Sequence, residues 1–176
     1  MEFALEDLKK RAADKLIYNL EDLVKSYRQV LELVRKEKDL LLNADLEALN
    51  ENNDAKEKIV LKLRSLDGLR VKYAGELARL VGVDEADARL LELARKLETA
   101  ESDRLRSQHA ALDLLIKRVK ELNSENAQYA ESALGQLNGA MNNIKETVVG
   151  KKTYGPKGKM QSGQNATAGN FVSKAR

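Results

Sequence analysis

Three groups of residues have side chains that could take part in chemistry. His109 is the only histidine, and no acid or nucleophile lies near it at the spacing of a catalytic triad. The carboxylates Asp84, Glu85 and Asp87 could attract a cation, but acids at this kind of position usually cap a helix. The run Gly150–Thr153 resembles the end of a phosphate-binding loop, yet the upstream glycine is missing and a helix precedes it. We therefore expect no catalytic residue, no cofactor and no metal site.

The composition excludes further kinds of site. The chain has no cysteine, so disulfides, thiol catalysis and cysteine-based zinc sites are impossible. Charged residues make up 34% of the sequence and aromatic residues only 4%, a balance typical of long helices with much surface. No apolar run is long enough to span a membrane, and the N-terminus lacks the apolar segment of a signal peptide. We expect a cytoplasmic protein that is not an enzyme and does not insert into membranes.

The net charge of +3 comes from one end of the chain. Residues 151–176 contain six of the 31 lysines and arginines and none of the 28 acids, so residues 1–150 carry −3. Phosphate contacts could use those six bases, but the acidic body would repel a nucleic acid and only Tyr154 and Phe171 could stack on bases. Residues 150–176 are also rich in Gly, Lys, Ser, Asn and Gln and cannot bury enough apolar surface to fold alone. We expect a flexible basic tail and no nucleic-acid partner.

Apolar residues recur three or four apart over long stretches, which predicts amphipathic helices. The stretches are residues 3–42, 46–81 and 102–149, with a short helix ending near residue 97 between the last two. Asp45 is a suitable N-cap and Gly82 a suitable C-terminal stop for the second helix. Asp67-Gly68 indicates a possible kink inside that helix. No strand is expected anywhere in the chain.

Asp84, with Asp87 three residues further on, resembles a cap at the start of the short helix. Together these elements predict an all-α fold, an elongated antiparallel helical bundle of long helices with a flexible C-terminal tail. Residues 1–149 would form the bundle and residues 150–176 the tail. Taken whole, the apolar stripes do not keep a strict heptad, which disfavours a long two-stranded rod.

The last part of the third long helix carries an apolar stripe that has two interpretations. Its large residues lie beside alanines and glycines, and methionine with small neighbours makes an adaptable surface. The stripe is either ordinary bundle core or a surface that packs against an amphipathic helix of a partner. Its large residues are Leu134, Leu137, Met141, Ile144 and Val148.

Three sequence motifs in this order resemble the FlgN family of flagellar export chaperones. The first is LVRKEKDLLLNADLEAL at 33–49, followed by NNDAKE at 52–57, where one helix ends and a "DLEAL" helix begins. The second is LNSENA at 122–127, similar to an Asn-x-x-Asn step in the last helix of the family. The third is TYGPKG at 153–158, similar to a Tyr-Gly-x-x-Gly element after that helix. Together the three motifs span most of the chain.

The resemblance implies an all-helical cytosolic chaperone of the flagellar type III secretion system. Such chaperones bind hook-associated proteins, which form the hook–filament junction, prevent their premature assembly and assist their export. The family holds its client with the C-terminal helical region, which maps to about residues 130–149 here. Tyr154 becomes a candidate contact for the client or for the flagellar export gate.

The main alternative is a coiled-coil adaptor or scaffold that homodimerises without binding a client. The chaperone is expected to be a monomer or a small homo-oligomer. Light scattering separates the two hypotheses, because a stable elongated dimer with no affinity for a client would support the scaffold.

Overall fold

The computed structural model describes residues 2–84, 88–97, 100–149, 153–154 and 160–161. Four helices lie in these ranges: α1 (Glu2–Leu42), α2 (Leu46–Val81), α3 (Leu90–Lys96) and α4 (Ala100–Val149). The predicted all-α fold built from long helices is confirmed. None of the described helices is both long and apolar enough to cross a membrane.

Two capping residues that the sequence indicates define the ends of α2. The Asp45 carboxylate accepts a hydrogen bond of 3.1 Å from the backbone N–H of Ala48, which satisfies one free donor of the first turn. Gly82 ends the helix in the left-handed conformation, with φ at 73°, and its N–H donates to the carbonyl oxygen of Ala78. Between them α2 runs without interruption through Gly68, so Asp67-Gly68 does not break the helix.

The predicted cap of the short helix is wrong. Helix α3 begins only at Leu90, and Arg89 occupies the N-cap position without a side-chain hydrogen bond to the first turn. A capping carboxylate must lie next to the free N–H groups of the first turn, and Asp84 precedes that turn by too many residues. Asp87 lies outside the described residues.

A pair of very short strands follows α4, although no strand was expected. β1 (Thr153–Tyr154) pairs antiparallel with β2 (Met160–Gln161), and Tyr154 lies opposite Met160. Two residues are too few to show the alternating pattern by which a sequence indicates a strand.

The chain divides into two compact units, Met1–Tyr129 and Ala130–Arg176. In the first unit α1 and α2 form an antiparallel hairpin. The side-chain amide of Asn19 donates to the carbonyl oxygen of Leu66 near one end, and that of Asn52 donates to the carbonyl oxygen of Leu33 near the other. The main chain therefore reverses at the turn between α1 and α2, as a bundle with short connections requires.

Helix α4 lies parallel to α1 in the first unit. Near its start, the Arg104 guanidinium donates to Asp14 and to Glu21, both at 3.2 Å. The hydrogen bond to Glu21 raises the pKa of Arg104, while burial acts in the opposite direction. The guanidinium also lies 5.8 Å from the centre of the Tyr18 ring, within the range of a cation–π contact. Up–down–up is thus the order of the three long helices.

The core of the first unit is centred on α1. This helix buries residues on a wide arc, because it packs against α2 and α4 at once, whereas α4 buries a narrow stripe. Burying side chains of this size contributes roughly 1.5–3 kcal/mol each. The large apolar side chains that are completely buried are Leu16, Ile17, Leu20, Val34, Leu77, Leu93 and Leu105.

The second unit contains the last residues of α4 and the strand pair. The side chains of residues 131–147 are all exposed. The boundary predicted at residue 150, between bundle and tail, stays a prediction.

Candidate partner-binding site

Part of α4 packs against α1 within the first unit. Asp14 contacts Arg104, and the carbonyl oxygen of Val34 contacts Asn126, so partners on α1 and α4 are 90 and 92 residues apart in sequence. These contacts lie in the first unit, which ends at Tyr129, whereas the stripe that begins at Leu134 belongs to the second unit.

The apolar stripe predicted to bind a partner lies in the second unit, and its large side chains are exposed. Leu134, Leu137, Met141 and Ile144 are 60%, 57%, 48% and 61% exposed. Leu105, on the covered part of the same helix, is 0% exposed. Soluble proteins seldom leave a continuous row of large apolar side chains in water unless something binds there. In the described residues the four side chains are a free surface and not bundle core.

Two of the predicted binding residues cannot be placed on this surface. The side chains of Val148 and Tyr154 lie outside the described part of the structure. The backbone of Val148 belongs to α4, and that of Tyr154 belongs to β1.

The residues around the stripe are small or sparsely charged. Ala133 and Ala140 are exposed beside it, and Glu131 and Lys145 are its nearest charged neighbours. Gly135 and Gly139 have no atom within 4 Å of the position that a Cβ would occupy, so no helix packs closely against them. This surface can bury apolar area against a helix, but its side chains have no arrangement for acid–base or nucleophilic chemistry.

A polar cluster that sequence analysis missed joins the three long helices of the first unit. The Glu37 carboxylate accepts from Lys56 Nζ at 2.6 Å and from the Asn126 amide at 3.1 Å. Asn126 also donates to the carbonyl oxygen of Val34 at 2.9 Å. Asn126 and Asn52 are only 4% and 2% exposed.

The polar cluster holds α4 in register with α1 in the first unit. Buried polar groups that are hydrogen-bonded favour one helix register, because a shift by one turn would leave them unpaired. The sequence did contain a signal for the polar cluster. Asn126 occupies a position of the apolar stripe of α4, and Lys56 one of α2, where large apolar residues would be usual.

A shallow groove lies on the first unit, with Tyr27 and Val30 from α1, Leu63 from α2 and Val119 from α4 among its lining residues. Burial raises the pKa of the Tyr27 hydroxyl, the Asp67 carboxylate raises it further, and Arg70 lowers it. Charged side chains line this groove as well, so it is less apolar than the stripe on α4.

The residues considered first for chemistry do not form a reactive site in the described structure. His109 is partly buried on α4 and makes no hydrogen bond or ion pair there. No group of three or more His, Asp or Glu side chains that could hold a metal ion occurs among the described residues. Glu85 and residues 150–152 lie outside the described ranges.

Comparison with known protein families identifies the family of this chain. Residues 8–162 match the family described as FlgN protein, which covers both units and most of the chain. This match confirms the resemblance found from the three sequence motifs. Neither the curated proteins nor the solved structures provide a match.

Proposed function

The chain belongs to the FlgN family of flagellar export chaperones, and from this premise we propose that it binds hook-associated proteins in the cytoplasm. It keeps these clients from assembling prematurely at the hook–filament junction and assists their export through the flagellar type III secretion system. It acts by binding alone, without catalysis, cofactor or metal ion.

The observation that carries the proposal is the exposed stripe on α4. Hook-associated subunits, if they polymerise through amphipathic helices, expose an apolar helix face as monomers. A helix that lies against Leu134, Leu137 and Ile144 would remove that face and the stripe from water together. Each of these side chains is about half exposed, so full burial would contribute on the order of 1 kcal/mol per side chain.

Binding of this kind needs no ATP. A chaperone that binds the unassembled client lowers the concentration of free client by mass action, and release follows when another site competes. Tyr154 is proposed as a contact for the client or for the export gate, because it lies in the strand pair that follows α4.

Charge substitutions on the stripe test the proposal. Leu137→Glu should weaken binding of a purified hook-associated protein by about tenfold or more, since a carboxylate would be buried in an apolar contact. Asn143→Glu is the matched control, because it adds the same charge to an exposed residue outside the stripe. Isothermal titration calorimetry with both variants gives the comparison.

Two outcomes would count against the mapping. If Leu137→Glu bound the client as tightly as Asn143→Glu, the stripe would not be the client site. If a chain lacking all residues from 130 onward still bound at full affinity, the site would lie on the first unit.

The alternative function is a scaffold that homodimerises and binds no client. It is favoured by the same exposed stripe, which could bind a second copy. Light scattering of the pure protein, together with the titration, separates the two, because a scaffold would form a stable dimer without affinity for any hook-associated protein.

Tyr154→Ala tests the proposed contact with the export gate. If Tyr154 contacts the gate and not the client, the variant should bind the client with unchanged affinity while secretion of that client falls. Loss of client binding would instead assign Tyr154 to the client site.

A further inference from the structure

Helix α3 covers one part of the groove between α2 and α4. It packs against α2, and its Ala94 carbonyl oxygen accepts a hydrogen bond of 2.6 Å from the Ser102 hydroxyl of α4. Leu93 of α3 is 0% exposed, as are Leu77 of α2 and Leu105 of α4, and all three belong to one apolar core. A short helix of the chain itself therefore closes this part of the groove.

The shallow groove lined by Tyr27 is formed by the same three long helices, and no described element covers it. Tyr27 and Val30 of α1 form its floor, with Val60 and Leu63 of α2 on one side and Val119 of α4 on the other. Leu63 and Val119 retain 9% and 7% exposure, and Val60 is only half-buried. We call this part the open groove. Its apolar residues are less completely buried than those beneath α3.

The open groove has room for a second short helix. Leu63 precedes Leu77 by 14 residues in α2, which corresponds to about 21 Å along the helix. Helix α3 has seven residues, a length of about 11 Å. Its apolar residues Leu90, Leu93 and Leu97 follow steps of three and four, the pattern of an amphipathic helix. Helix α3 thus shows which kind of segment this type of groove accepts.

Arg64 is a cation of the open groove without a partner in the described structure. Lys56 is bound to Glu37 at 2.6 Å, and the Asp67 carboxylate is bound to Arg70 at 2.7 Å. Arg64 is exposed and forms no ion pair or hydrogen bond with the described residues. A partner that places a carboxylate beside Arg64 gains a charge pair, whereas a partner with a cation there is repelled.

We propose that the open groove binds a short amphipathic helix of a partner protein. Apolar side chains of this helix lie against Tyr27, Leu63 and Val119, and a carboxylate on its flank lies beside Arg64. The basic residues 151–176 do not fit this description, because they contain no acid. A helix of two turns buries little area, so the contact is weak and reversible. The site lies in the first unit and does not depend on the proposed client contact of the stripe.

Three synthetic peptides test the proposal on the full chain. All have leucines at the spacing found in α3, and they carry glutamate, glutamine or lysine on both flanks of the apolar face. The methyl resonances of Val60, Leu63 and Val119 report binding by NMR. The glutamate peptide should bind about fivefold more tightly than the glutamine peptide, and the lysine peptide should bind most weakly. Non-specific attraction to residues 1–150, which carry −3, would give the opposite order.

Charge reversal on α2 tests the role of Arg64. With Arg64→Glu the lysine peptide should bind more tightly than the glutamate peptide. Lys62→Glu is the matched control, because Lys62 is exposed on the same helix but does not line the groove, and it should leave the original order unchanged. Circular dichroism checks that both variants keep their helix content.

Four results would overturn the proposal. The first is the absence of any methyl shift at Val60, Leu63 and Val119 up to millimolar peptide. The second is an order of affinity that Arg64→Glu leaves unchanged. Shifts confined to Leu77 and Leu105 would mean that the peptide replaces α3 and does not enter the open groove. Groove shifts that depend on protein concentration without peptide would identify a second copy as the occupant.

Discussion

The side-chain amide of Asn126 on α4 donates a hydrogen bond to the carbonyl oxygen of Val34 on α1, at a distance of 2.9 Å. The same amide donates to Glu37, which also accepts from Lys56 on α2. One cluster thus sets the register of α4 on α1 within the first unit. Four predictions test this cluster and other features of the first unit.

Asn126→Ala should lower the free energy of unfolding by about 1–3 kcal/mol, because it removes two buried hydrogen bonds and leaves a small cavity. Asn123→Ala is the control, since Asn123 is exposed on the same helix and should change stability by less than about 0.5 kcal/mol. Urea unfolding followed by circular dichroism measures both. Equal stability of the two variants would mean that the cluster does not hold α4.

Breaking the ion pair between Lys56 and Glu37 should cost more than removing it completely. The side chains are only 23% and 14% exposed, so Lys56→Met leaves a mostly buried carboxylate without its cation and should destabilise by about 1–3 kcal/mol, less than for a fully buried pair. Lys56→Met/Glu37→Gln should recover part of this loss, because no unpaired charge remains. A double-mutant cycle from denaturant titrations measures the coupling, and strictly additive effects would contradict it.

The free energy of unfolding of the first unit should fall at alkaline pH because the Tyr27 hydroxyl ionises. Burial raises the pKa of its hydroxyl in the folded state above the ordinary value of 10.0. The folded protein therefore holds this proton more tightly, and the associated stability is complete below pH 10 and lost as the pH rises through the folded pKa. The Tyr27→Phe side chain cannot ionise, so the variant lacks this loss of stability. Its free energy of unfolding, compared with that of the original chain, should therefore rise between neutral and strongly alkaline pH. An unchanged difference between the two proteins across this range would show that Tyr27 does not contribute.

Two glycines of α2 should respond oppositely to alanine. Gly82 has φ at 73°, so Gly82→Ala should destabilise by about 1 kcal/mol through backbone strain alone. Gly68 lies inside the helix with free space around it, and Gly68→Ala should stabilise by about 0.5–1 kcal/mol through helix propensity. Thermal unfolding of the two variants compares them, and a shift of the same sign in both would contradict the assigned backbone conformations.

The sequence predicted the long helices closely because the information for them is local. Apolar residues at steps of three and four define each helix, and Asp45 and Gly82 define the ends of α2 through their own side chain and backbone. The start of α3 was predicted wrongly because that prediction also used local information alone. Asp84 is a residue type that often caps a helix, but α3 begins at Leu90 with Arg89 at its N-cap.

Two members of the polar cluster can be recognised in the sequence, but their hydrogen-bond partners cannot. Asn126 on α4 and Lys56 on α2 both occupy positions where the helical pattern calls for an apolar residue. Only when the helices are assembled does Glu37 become the partner of both, since these residues are far apart in sequence.

The sequence by itself determined the helices, the acidic body with its basic tail, the family, and the existence of an apolar face along the whole of α4. It could not say which part of that face is bundle core, because periodicity shows that a face is apolar and not what lies against it. The tertiary structure decided this. The contacts of Arg104 with Asp14 and of Asn126 with Val34 place the first part of α4 on α1 within the first unit. Leu105 is completely buried there, whereas Leu134 in the second unit is 60% exposed.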